Sequence, residues 1–199
     1  MAIIALAGLD VSLLVRNRSL NREIISGEFS QQPPVGDIMP PLRGINLSGR
    51  FETVAYSSGQ TATFVFVFAG RCEFCGQSWP LWLRMVNAAD PRRFRCVFVS
   101  LDDETVPVSV AARLGADHTV ITRPDPRDIA AFNFRLTPEV MEVSPTGRLI
   151  AAWLGVLDAT STAALSRALG IAHFSPGTAA NGALLLGPPR APPHPGPLP

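Results

Sequence analysis

The run TATFVFVF, Thr61 to Phe68, limits the fold more than any other stretch of the chain. It is β-branched or aromatic apart from Ala62, carries no charge, and is flanked by Gly59 and Gly70. A strand of that kind is buried on both faces, in the middle of a sheet covered on two sides. Two cysteines follow almost at once, in RCEFCGQSWP, Arg71 to Pro80. Taken alone, the pair has three readings: a redox centre, half of a metal site, or two buried thiols.

The remaining segments supply the rest of a layered fold. LRGINLSGRFETV, from Leu42, reads as a β-hairpin turning at Ser48-Gly49. Trp79, Leu83 and Val86 recur at helical spacing between Cys75 and Ala88, and Leu81, Trp82 and Met85 keep the apolar period beyond Pro80. Phe94 to Leu101 reads as a second buried strand, 108–114 as a short helix, His118 to Ile121 as a third strand, and Arg127 to Phe132 as another helix. Strands at Val140–Val143 and Leu149–Leu154 flank the turn Ser144-Pro145-Thr146-Gly147, and a helix from Ala159 to Leu169 ends at Gly170. Such alternation predicts an α/β layer with right-handed parallel crossovers and an antiparallel hairpin at one edge.

Composition narrows the function. A net charge of +1 with 17% charged residues excludes an electrostatic nucleic-acid binder. Three cysteines cannot make a four-cysteine zinc site, and His118, His173 and His194 lack finger-like spacing from Cys72 and Cys75, so neither metal nor cofactor is expected. Eight of the 19 prolines lie from Pro176 onward, and the segment reads as disordered. The division expected is an N-terminal apolar segment and linker over 1–34, a domain over 35–172, and a Pro/Gly-rich tail over 173–199. MAIIALAGLDVSLLV is apolar but interrupted by Asp10 and shorter than the ~17 residues a spanning helix requires. It reads either as an amphipathic or frayed helix or as a membrane anchor short of its first turns. The arginines come after it, which favours keeping that side in the cytoplasm and disagrees with a secretory signal.

Cys72 falls where a buried strand ends and a helix begins, a place where open α/β sheets carry their reactive groups. First-turn amides have no intrahelical partner, and hydrogen bonds from them favour a thiolate at Cys72. Arg71 pushes the same way and Glu73 the opposite way, both solvated. Cys75, one turn on, is placed to attack a mixed disulfide formed at Cys72, so the pair suits dithiol–disulfide exchange. Cys96, among Val97, Phe98 and Val99, reads as an inert core thiol. Pro80 removes one helical hydrogen bond and is expected to bend the helix rather than end it.

These features resemble the thioredoxin fold, closest to its TlpA-like and methylamine-utilisation D-type branch: an α/β three-layer sandwich with a mixed central sheet and helices on both faces. Cys72-Glu73-Phe74-Cys75 sits where that family has its redox motif, and Pro80 matches its helix-kinking proline. Thr137-Pro138 is similar to its threonine and cis-proline, and Pro145-Thr146-Gly147 to its hairpin turn. The resemblance covers about residues 35–172 and implies a thiol-disulfide oxidoreductase acting on protein cysteines. In it Cys72 is the nucleophile, Cys75 the resolving thiol, and Thr137 and Pro138 bind an extended substrate segment; a redox partner then resets the pair. Arg71 and Glu73-Phe74 replace the usual Trp and Gly-Pro, and Phe66 replaces a buried acid, which removes the usual proton acceptor for Cys75. Trp79 reads equally as part of the docking surface or as core.

Two other functions compete. A peroxiredoxin-type antioxidant activity calls for a threonine or serine and a proline ahead of the cysteine, where Ala69 and Val65 stand. A copper or assembly-factor role calls for a histidine near the pair, for which His118 is the core candidate. The resemblance places the domain membrane-associated through residues 1–15 and facing an extracytoplasmic space; the arginines favour the cytoplasm instead.

Overall fold

The computed structural model describes residues 32–56, 59–102, 114, 118–172 and 174. The N-terminal apolar segment, the helix expected at 108–114 apart from helical Leu114, and the tail apart from Phe174 lie outside the described residues.

Seven strands form one sheet. They are β1 (Leu42–Asn46), β2 (Phe51–Val54), β3 (Ala62–Phe68), β4 (Phe94–Ser100), β5 (Thr119–Pro124), β6 (Glu139–Val143) and β7 (Leu149–Leu154), in the spatial order β2-β1-β5-β4-β3-β6-β7. β3, β4 and β5 run parallel, and both hairpins join this centre antiparallel. The first hairpin thus extends the sheet beyond β5, a position that its own sequence did not specify. Ahead of it, Gly36 to Met39 run along the start of β7: Gly36 N–H donates to the Leu149 carbonyl at 2.8 Å and Met39 N–H to that of Gly147 at 2.7 Å.

Every residue of β3 is buried, as its unbroken apolar run predicts. Alternation along it feeds two cores. Phe64, Phe66 and Phe68 point to one face, against α1 (Glu73–Ala88) and α3 (Ala159–Ala168). Val65 and Val67 point to the other, with Phe132 of α2 (Pro126–Phe132). The molecule is therefore a three-layer α/β sandwich.

The helices begin where side chains cap them. Asp125 accepts from the Arg127 amide at 2.8 Å and Asp158 from that of Ser161 at 2.7 Å, each satisfying a first-turn donor. Beyond α3, Gly170 takes φ 69°, the left-handed position that closes a helix. α1 runs unbroken through Pro80. The carbonyl that loses its usual donor lies four residues earlier, on exposed Gly76. The buried stripe of α1 is Cys75, Ser78, Trp82, Met85 and Val86, with Trp79 and Leu83 at its margin. α2 is tied to β1 through Asp128, buried, which accepts from the Arg43 backbone N–H at 2.7 Å and pairs with the Arg43 guanidinium at 2.5 Å.

Candidate active site

Cys72 caps α1. Its backbone is extended, φ −80° and ψ 110°, and its Sγ accepts from the Cys75 N–H at 3.1 Å. That hydrogen bond is the one a helix start offers a sulfur. On its other side the Cys72 thiol meets the Thr137 carbonyl at 3.5 Å, and the Thr137–Pro138 peptide bond is cis. The strand-to-helix junction and the β6 approach, 65 residues apart in sequence, therefore converge on one sulfur. Among the pair only Cys72 is reached by solvent, being half-buried; Cys75 is 1% exposed. Both thiols are free. Burial pushes the Cys75 thiol up to about 12, and its hydrogen bond with Cys72 adds to the shift.

Arg71, Glu73 and Phe74 are exposed around Cys72, and Phe74, at 59%, presents a large apolar ring from between the cysteines. Trp79 sits half-buried in an aromatic cluster, edge-on to Phe68 at 4.9 Å and stacked on Phe98 at 5.7 Å. Phe66 stacks on Phe98 at 4.9 Å and meets Trp82 edge-on at 5.3 Å, in the same core as Cys75.

His118 is not at this site. Thr119 pairs with Val97, and Cys96 pairs with Phe64, so His118 lies level with Phe64, while Cys72 follows the end of β3 at Phe68. At about 3.3 Å per strand residue the two are separated by more than 10 Å along the sheet. There His118 packs edge-on to Phe98 at 6.0 Å and lines an open pocket of about 210 Å³ with Cys96. Cys96 itself is buried, which pushes its thiol up to about 12. Among the described residues no group of three or more His, Cys, Asp or Glu is arranged to hold a metal ion.

Two acidic residues near the site were not legible in the sequence. Glu139, next after Pro138, is 1% exposed, and burial pushes its carboxyl up to about 8; a hydrogen bond from the Gln32 amide works against that shift. Val140 belongs to the core on the α1 side and Met141 to the opposite core, so Glu139 faces away from Cys75. Asp102, just past β4, accepts from the Gly70 N–H at 2.5 Å and from the Arg71 N–H at 3.4 Å. The sequence signal for Glu139 was no more than one of two glutamates in the strand Glu139–Val143; Asp102 looked like any loop aspartate.

With this sheet order and helix placement the chain has the thioredoxin-like fold found in thiol:disulfide interchange proteins. A DsbE-type thiol:disulfide interchange protein from Chlorobium tepidum superposes with a TM-score of 0.57 at 21% identity, over 69% of this chain and 97% of that one. The thioredoxin domain of a thiol-disulfide oxidoreductase from Bacteroides vulgatus gives 0.53 at 18% identity, over 69% and 99%. A secreted disulfide oxidoreductase from Mycobacterium tuberculosis gives 0.50 at 19%, over 64% and 93%. The likeness lies in the fold. No protein-family model and no curated protein matches the sequence.

Proposed function

We propose that the protein is a thiol-disulfide oxidoreductase acting on cysteines of other proteins. One observation carries the reading: a solvent-reached sulfur at a helix cap, supported by the Cys75 N–H and faced by the Thr137 carbonyl. In the reducing direction the Cys72 thiolate attacks one sulfur of a substrate disulfide, the substrate S–S bond breaks, and the departing thiolate takes a proton. Cys75 then loses its proton and attacks Cys72 Sγ. The mixed disulfide breaks, the Cys72–Cys75 disulfide forms, and two electrons have passed to the substrate. Oxidation of a substrate dithiol is the same sequence reversed. Because Cys75 is buried and holds its proton tightly, it reacts only with a sulfur already bound at Cys72. Thr137 and Pro138 border the incoming segment, Phe74 offers it an apolar contact, and Arg71, Glu73 and Pro80 shape the junction.

The domain is read as residues 35–172, working in an extracytoplasmic space as the secreted mycobacterial neighbour does, with residues 1–15 as its membrane association. No described helix is long and apolar enough to cross a membrane.

The test is exchange with a disulfide-bonded protein such as insulin. Wild type is expected to turn over, Cys72→Ser to be inactive, and Cys75→Ser to accumulate a covalent, dithiothreitol-sensitive adduct. Absence of an adduct with Cys75→Ser, together with turnover by Cys72→Ser, would falsify the assignment.

A further inference from the structure

The segment that delivers Cys72 to its cap is held from an element outside the cysteine motif. Between the end of β3 and the start of α1 the chain is Ala69-Gly70-Arg71-Cys72, and the Cys72 N–H turns back to the Ala69 carbonyl at 3.2 Å. Gly70 and Arg71 lie inside that turn, beyond the β3–β4 ladder, which ends at Phe68 and Ser100. One carboxylate oxygen of Asp102 receives both of their amides, at 2.5 and 3.4 Å. Asp102 is fixed from its own side: the Leu101 N–H donates to the Phe68 carbonyl at 2.9 Å, and the Ser100 hydroxyl to the Asp102 carbonyl at 3.4 Å.

We infer that Asp102 is a positioning residue for Cys72: its carboxylate gathers the two preceding amides and so holds the sulfur within reach of the Cys75 N–H. The inference rests on the reading of Cys72 as the reacting sulfur. Backbone amides donating to a charged acceptor make stronger hydrogen bonds than neutral pairs, so one side chain suffices to order a glycine-containing turn. Without it, Gly70 is free to sample other conformations, and Cys72 leaves the cap for a larger share of the time.

The experiment is native-state alkylation of Cys72 by iodoacetamide at neutral pH, followed by peptide mass. It needs no substrate, so it reports on the sulfur even if the protein proves inactive toward insulin. Asp102→Ala is expected to slow alkylation about tenfold, the scale of one charge-assisted hydrogen bond. Asp102→Asn keeps an acceptor oxygen without the charge and is expected to fall between Asp102→Ala and wild type. Cys96, deep in the sheet, serves as the fold control and stays unlabelled in both variants. Unchanged Cys72 labelling in Asp102→Ala overturns the inference. So does an Asp102→Asn rate below that of Asp102→Ala, because an acceptor at position 102 would then work against the turn. Should Asp102→Ala expose Cys96 through unfolding, the Asp102→Asn and Asp102→Ser rates decide the matter by the same comparison.

Discussion

Cys72 and Cys75 are one helical turn apart and chemically unlike. One is a half-buried cap with an amide on its sulfur; the other is sealed against Phe66, Trp82 and their neighbours in the core. Iodoacetamide at neutral pH is therefore expected to add one group per native chain, at Cys72, and three after unfolding in urea. Labelling of Cys75 or Cys96 before unfolding would contradict the burial. Glu139 gives the second prediction at this scale. Its carboxyl lies near 4.5 when unfolded and about 8 when folded, and half-buried Glu142 is pushed the same way by burial. Over that window the folded chain holds more protons than the unfolded one, so stability falls as pH rises. The urea midpoint of wild type should drop between pH 5 and pH 8, and Glu139→Gln should flatten that slope. A midpoint that climbs over this range would refute the buried carboxyl.

At the level of elements, the first hairpin depends on a close approach. A Cβ added at Gly44 would stand 2.5 Å from both the Arg123 carbonyl oxygen and Ile121 Cγ2, and 2.8 Å from Pro124 Cα. Two of those atoms are backbone, so β1 cannot keep its register against β5 with a larger residue there. Gly44→Ala is expected to cost about 1–3 kcal/mol in urea unfolding, the usual price of overpacking. A stability equal to wild type would mean that β1 shifts freely. α1 shows the opposite tolerance. Its proline withholds one donor from the exposed face at Gly76, and the helix continues and carries Trp82 and Met85 to the core.

For the whole molecule, the folded unit starts earlier than its first strand. Gln32 reaches Glu139, and Gly36 to Met39 pair with the second hairpin. A fragment of residues 32–174 is expected to unfold in one urea transition. One starting at Leu42 should unfold at a lower midpoint, because the Leu149 and Gly147 carbonyls lose their donors. Equal midpoints would show that the leading segment adds nothing. The sequence by itself determined the strands, the helices among the described residues, and the place of the cysteine pair. Those follow from local rules: an apolar run must be buried, and a turn or capping residue works within a few positions of itself. Only the tertiary structure decided that Thr137 meets Cys72, that Asp102 accepts from the two amides before it, and that His118 lies away from the cysteines, level with Phe64. It also decided that Glu139 is buried facing away from the cysteines. Those outcomes depend on strand order and register, which bring together residues tens of positions apart and leave no periodic trace in the chain.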